Sequence, residues 1–202
     1  MQINTIIFDL GGVMIDWNPR YLYKKIFDDE AEMDYFLNNV CTMAWNHEQD
    51  AGRSLKDAEE LLIPQFPKYE SQIRDFYGRW TEMLNGTVAR SVEIQQQLIR
   101  DPRYKVVALT NWSAETWVWA LDIFPFLHDF EDVLVSGQEK MAKPEHRIYE
   151  LCLERFGIEA DKSVFIDDSE RNVIAAREVG IHAIHFQSAE QMEGELRAMG
   201  VL

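Results

Sequence analysis

The sequence predicts an α/β fold: a doubly wound parallel sheet with a block of helices inserted after its first strand. Three observations lead there. Short apolar runs rich in β-branched and aromatic residues recur at 3–8 (INTIIF), 104–109 (YKVVAL), 132–135 (DVLV), 163–166 (SVFI) and 182–186 (HAIHF). Each has the length of a strand buried on both faces. Helical patterns separate the later runs, and strands alternating with helices build parallel sheets. Residues 17–100 break that rhythm with few strand signals and several amphipathic stretches, too much chain for an ordinary crossover.

Taken in order, the first run ends on Asp9 and passes into a turn containing Gly11 and Gly12. Amphipathic stretches at 19–27, 30–44, 54–63, 68–84 and 88–100 predict helices. Residues 1–16 and 86–202 are read as the α/β core and 17–85 as a helical insert above the C-terminal edge of the sheet. The stretch 45–53 (WNHEQDAGR) lies between two of these helices and holds a Gly52-Arg53 turn. The second core run leads into Thr110-Asn111, and a helix over 145–156 stops at Gly157. The run 163–166 leads into Asp167-Asp168 and a helix over 170–179 that ends at Gly180.

Composition bounds the function. With 202 residues, 47% hydrophobic and 27% charged, the chain can bury a full core. A net charge of −15 argues against nucleic acid, which demands a basic surface, but leaves room for a small anionic ligand held by local donors and a metal ion. Cys41 and Cys152 are the two cysteines and form no CxxC motif, which suits a reducing compartment. No leader-like or membrane-spanning run is evident, so a cytoplasmic protein with no membrane partner is expected. Monomer and homodimer both remain open.

In open α/β sheets ligands bind beyond the carboxyl ends of the strands. Asp9, Thr110, Asn111 and the pair Asp167-Asp168 all follow predicted strands, and Lys143 stands in a loop just before a helix. This set suits phosphoryl transfer, which needs an in-line nucleophile and neutralisation of spread negative charge. Asp9 can attack phosphorus to form an acyl phosphate. Asp9, Asp168 with Asp167 beside it, and the carbonyl of Gly11 can offer oxygen ligands to Mg2+. The hydroxyl of Thr110 can donate to a phosphate oxygen, helped by the main-chain N–H groups of Asn111 and Trp112, and Lys143 adds a second positive charge. Singly, each residue has an ordinary reading as a cap, a turn or a surface charge. Their succession at strand ends gives the set its weight.

That succession resembles the haloacid dehalogenase superfamily over almost the whole chain. FDLGGVMID is similar to its first motif with Asp9 as nucleophile, VVALTNWS to its second with Thr110 and Asn111, MAKP to its third with Lys143, and VFIDDSERNVIAAREVG to its fourth with Asp168 and Asp167 as metal ligands. The resemblance implies a Rossmann-like core, a helical cap over 17–85, Mg2+, and hydrolysis of a small phosphorylated metabolite. A cap loop near 45–53 would reach the site, with Arg53 meeting a phosphate or sugar hydroxyl, Trp45 stacking on a sugar and His47 nearby; a helix-joining turn is the even alternative. Trp17 and Asn18 are hinge or loop candidates, and Trp112, Trp117 and Trp119 are candidates for the mouth of the site.

Two residues depart from the pattern. Phosphatases of the superfamily usually carry an acid two positions after the nucleophile, where this chain has Gly11; losing such a group typically costs about 10²–10⁴-fold in rate. The Asp-Leu-Gly-Gly-Val run resembles a bacterial subgroup that includes an α-D-glucose-1-phosphate phosphatase, and an anomeric or aryl leaving oxygen needs little protonation. Asn172 stands where another acid is common and can still orient its neighbours. The rival readings are a 2-haloacid dehalogenase, against which the Asp167-Asp168 pair counts, and a catalytically weak phosphometabolite-binding protein.

Overall fold

The computed structural model describes residues 2–202. Its strands are β1 (Thr5–Phe8), β2 (Ile15–Trp17), β3 (Leu84–Thr87), β4 (Lys105–Thr110), β5 (Val133–Val135), β6 (Ser163–Asp167) and β7 (His182–His185). Five of them form a parallel sheet in the order β5-β4-β1-β6-β7, with β1 at its centre. The five predicted core strands are therefore all present.

The apolar runs explain that sheet. Side chains alternate across a strand, so Ile6 and Phe8 enter one buried cluster with Val106, Ala108, Val164 and Ile166, while Ile7 enters a second with Val107, Leu109 and Phe165. Complete burial of each such side chain contributes about 1.5–3 kcal/mol. Both faces are thus apolar and both must be covered by helices.

The helices are α1 (Arg20–Tyr23), α2 (Glu30–Asn39), α3 (Met43–Asp50), α4 (Leu55–Leu62), α5 (Glu70–Gly78), α6 (Ala89–Ile99), α7 (Ala114–Ile123), α8 (Ser136–Glu139), α9 (His146–Phe156), α10 (Glu170–Glu178) and α11 (Ala189–Ala198). Ile148, Tyr149 and Cys152 of α9 and Val173 and Ala176 of α10 join the Ile7 cluster. Ile94 and Leu98 of α6 and Met192 and Leu196 of α11 join the Ile6 cluster. Gly157, at φ 62°, ends α9 as the sequence predicts. Among the described residues no helix is long and apolar enough to cross a membrane.

Helices α1 to α5 lie between β2 and β3, which pair antiparallel as a two-stranded ribbon. They are held together by an aromatic cluster in which Tyr23 lies 4.8 Å from Phe36 and Trp45 lies 5.2 Å from Phe76, centroid to centroid. Two expectations need correction. The stretch 19–27 is helical only through Arg20–Tyr23. Residues 45–50, read as part of a connecting loop, are helix: Thr42 accepts the Trp45 N–H at 3.0 Å and caps α3. The turn at Gly52 stands, with φ 100°.

The turn after α3 presses on the core. A Cβ at Gly52 would lie 3.1 Å from the Cα of Lys140 and 3.2 Å from the carbonyl of Gly137. Leu55 N–H donates to Glu115 Oε1 at 2.8 Å, and Ser136 Oγ donates to the Asp50 carbonyl at 2.5 Å. Gly137 in turn packs against the loop after β4, where a Cβ would come within 2.5 Å of the Ala114 nitrogen and 2.7 Å of the Trp112 carbonyl. Backbone cannot step aside as a flexible side chain can. Gly137→Ala should therefore lower the unfolding free energy by about 1–3 kcal/mol, read from the urea midpoint; an unchanged midpoint would show that the loop yields freely.

Candidate active site

The site is assembled where β4, β1 and β6 end side by side. Asp9 follows β1, its N–H bonded to the Ile166 carbonyl of β6 at 2.8 Å, and its Oδ1 accepts the Leu10 N–H at 2.8 Å. The ammonium of Lys143, fully buried, lies 2.9 Å from Asp9 Oδ1 and 2.6 Å from Asp167 Oδ2, and donates to the Leu109 carbonyl at 3.0 Å. Asn111 clamps the lysine's backbone: its Oδ1 accepts the Lys143 N–H and its Nδ2 donates to the Lys143 carbonyl, both at 2.9 Å. Burial works against the charge on Lys143, but Asp167 and Asp9 outweigh it and raise its pKa.

Asp167 and Asp168 do different things. Asp167 is fully buried, and its oxygens accept Lys143, the Ser169 N–H at 2.8 Å and Asn172 Nδ2 at 3.0 and 3.1 Å. Asn172 thus orients an acid, as its amide permits. Asp168 is exposed and faces Gly12, where a Cβ would fall 2.3 Å from its Oδ2. Only glycine allows that approach, and φ 75° at Gly12 suits glycine too.

Oxygens of Asp9, Asp167 and Asp168 come within 4.8 Å of one another. Three carboxylates against one ammonium leave two formal negative charges. Burial, with Asp167 and Asp168 adding to it, pushes the Asp9 carboxyl up to about 8 against the pull of Lys143. Such a cluster of hard oxygen donors fits a divalent cation. The hydroxyl of Thr110 is buried with no hydrogen-bond partner, which marks it as a donor or acceptor awaiting a ligand.

A cavity of about 700 Å³ opens over this floor. Asp9, Gly11, Gly12, Asn111 and Asp168 line it from the core side; Met43, Asn46, His47 and Asp50 line it from α3. Ala44 and Glu48 of the same helix line it too, so α3 presents much of its circumference to the cavity. Trp17, Asn18, Trp80 and Trp112 also line the cavity, whereas Trp117 packs on Trp112 at 5.7 Å and Trp119 lies 6.2 Å from Trp80, ring to ring, and neither lines it.

Three expected contacts are not made. Arg53 does not line the cavity; its Nε donates to Gln49 Oε1 at 2.7 Å and its NH2 to the Trp45 carbonyl at 2.9 Å. Trp45 is packed among Phe76 and Tyr77 rather than over the floor. The main-chain N–H of Trp112 is already given to Ser136 Oγ at 2.9 Å. Arg53 and the Trp112 N–H are taken by nearer protein acceptors, and the Trp45 ring by aromatic neighbours.

The buried ammonium also governs stability. Removing one partner of a buried ion pair strands the other charge and typically costs about 3–5 kcal/mol. Lys143→Met should lose about that much by urea unfolding at neutral pH in chelator; a loss below about 1 kcal/mol would mean the two aspartates relax without it.

Comparison with known proteins agrees with this geometry. A family model described as haloacid dehalogenase-like hydrolase matches residues 3–180. The sesquiterpene phosphatase AstK of Aspergillus oryzae is 26% identical, over 96% of this chain and 94% of that protein. A phosphorylated carbohydrates phosphatase of Thermotoga maritima is 28% identical, over 91% of this chain and 84% of its own length. A Bacteroides thetaiotaomicron enzyme of the same family, solved in complex with magnesium and inorganic phosphate, superposes with a TM-score of 0.70 at 26% identity, covering 92% of this chain and 95% of that one. The match of the family model over most of its length shows that this chain belongs to the haloacid dehalogenase-like hydrolases.

Proposed function

We propose that this hydrolase is a Mg2+-dependent phosphatase of small phosphorylated metabolites, working through an aspartyl phosphate on Asp9. The observation that carries the reading is the floor of the cavity, where Asp9 is held by Lys143 beside two further carboxylates. Asp9 and Asp168 would hold Mg2+, with the Gly11 carbonyl as a third ligand and Asp167 behind them fixing Lys143. The cation would supply charge neutralisation for the phosphate and keep Asp9 ionised. Lys143 would bring positive charge to Asp9 and the phosphate, and the unpartnered Thr110 hydroxyl would take a phosphate oxygen. Asp9 Oδ then forms a bond to phosphorus as the bond to the leaving oxygen breaks, and water releases phosphate in a second displacement.

Residues 17–85 would serve as the cap that presents the leaving-group side of the cavity. Relatives support the phosphatase reading by name, and the Bacteroides complex by its contents. Dehalogenation attacks carbon and needs no cation, so a three-carboxylate cluster counts against it. Gly11 leaves the floor itself without an acid, so anomeric and aryl esters such as sugar 1-phosphates, whose leaving oxygen is less basic, depend less than alkyl esters on a proton donor elsewhere in the cavity. A second leaving-group class is favoured by the wall of Trp17, Trp80 and Trp112, which suits an apolar alcohol.

Phosphate release from sugar 1-phosphates, sugar 6-phosphates, an aryl phosphate and a prenyl phosphate tests the reading. Release should require Mg2+, stop in chelator, and fall by at least about 10³-fold in Asp9→Asn, a loss expected when a nucleophile is removed. Sugar 1-phosphates should outrank 6-phosphates. Release that persists in Asp9→Asn or in chelator would rule the mechanism out, and silence on every ester would leave a binding protein.

A further inference from the structure

The floor of the cavity offers no proton donor at Gly11, yet alcohol leaving groups need one. In-line transfer places the leaving oxygen opposite Asp9, and the cavity over Asp9 is walled by α3 and by Tyr77 of α5. Four titratable groups of that wall line the cavity: His47, Glu48, Asp50 and Tyr77. Burial lowers the pKa of His47, with Arg171 adding to the effect, which disfavours the imidazolium that a proton donor there would need. Burial raises the Tyr77 phenol, and its proton is already given to Asn46 Oδ1 at 2.9 Å. Glu48 is exposed, and among the described residues no hydrogen bond holds its carboxylate.

Asp50 is different, because a directed chain of hydrogen bonds ends on it. Arg53 Nε donates to Gln49 Oε1 at 2.7 Å, Gln49 Nε2 to the Tyr77 oxygen at 2.9 Å, and Tyr77 to Asn46 Oδ1. Asn46 must then turn its Nδ2 to the Asp50 carboxylate, at 3.2 Å. Gln49 is fully buried, so its own links in the chain are shielded from competing water. Ser136 fixes the Asp50 carbonyl. Burial pushes the Asp50 carboxyl up to about 7, opposed by Ser113 and Lys143. A general acid and base at neutral pH works best with its pKa there.

We propose that Asp50 is the general acid and base of the reaction, acting from α3 in place of the group absent at Gly11. This rests on the phosphatase reading. As the Asp9–phosphorus bond forms and the bond to the leaving oxygen breaks, protonated Asp50 gives its proton to that oxygen. In the second half the Asp50 carboxylate takes a proton from water as the water–phosphorus bond forms and the Asp9–phosphorus bond breaks. Arg53, Gln49, Tyr77 and Asn46 are positioning residues for it.

The test is Asp50→Asn, which keeps shape and hydrogen-bonding oxygen, assayed with Mg2+ on phosphates of graded leaving-group basicity. The rate should fall by about 10²–10⁴-fold for an alkyl phosphate and far less for dinitrophenyl phosphate in the first, phosphorus-transfer step. Dinitrophenyl phosphate should show a burst, because the aspartyl phosphate accumulates without a base to hydrolyse it. Adding Gly11→Asp to this variant should recover alkyl phosphate turnover, since a Cβ at Gly11 meets nothing within 4 Å. An equal loss for every leaving group, unrelieved by Gly11→Asp, would reduce Asp50 to a tether between α3 and the core, and no loss at all would equally overturn the proposal. Should Asp50→Asn not fold, Tyr77→Phe frees Asn46 to turn and carries the same test: a loss graded by leaving group supports the proposal, and an even or absent one counts against it. A wild-type protein inactive on all esters would defeat the phosphatase reading itself; an active one with a flat Asp50→Asn series defeats only Asp50.

Discussion

A single buried ammonium sets the arrangement of this site. Lys143 has no access to water, so its charge must be met wholly by protein. Asp9, Asp167 and the Leu109 carbonyl meet it, and these three come from the ends of β1, β6 and β4. The sheet order β4-β1-β6 brings those ends together, and parallel pairing puts all three at the same edge. Asn111 then fixes the lysine's backbone from the end of β4. The nucleophile is therefore positioned by the same contacts that make the burial of a charge tolerable. Fold and site share one constraint.

The sequence made the floor readable because its logic is local to each strand end. An apolar run that stops at Asp9, Thr110 or Asp167 names both the strand and the residue it delivers. The ribbon was not readable in this way. β2 alternates as Ile15-Asp16-Trp17 but has only three residues, and Leu84–Thr87 contains Asn85 and Gly86 and is mostly exposed, so neither run is long or apolar enough to mark a strand. Their pairing joins residues some seventy positions apart and answers to the packing of the helices between. Helix α3 was hidden for a related reason: MAWNHEQD has little apolar periodicity, because the face that carries Asn46, His47 and Asp50 looks into a cavity and not a core. Arg53 shows the limit of reasoning from charge alone. Its partner is Gln49, one helical turn earlier, and only the folded turn at Gly52 reveals that pairing.

The two sides of the cavity have different physical tasks. The floor gathers three carboxylates within reach of one another and carries surplus negative charge. A further acid at position 11 would join that field and lie beside the ligands of any cation, so its protonation would shift with each change of charge there. Asp50 stands outside it. Its carboxyl is pushed up by burial and held back by the Ser113 N–H and by the charge of Lys143. On this proposal proton transfer is assigned to α3, apart from the carboxylates that would hold the cation. Its position is also set by a hydrogen-bonded chain that runs through α3 and α5, and its carbonyl is tied to the core by Ser136. On this reading the glycine after Asp9 is one half of an arrangement in which charge neutralisation belongs to the strand ends and proton transfer belongs to the helical segment. The leaving group then meets its acid on the side where it departs.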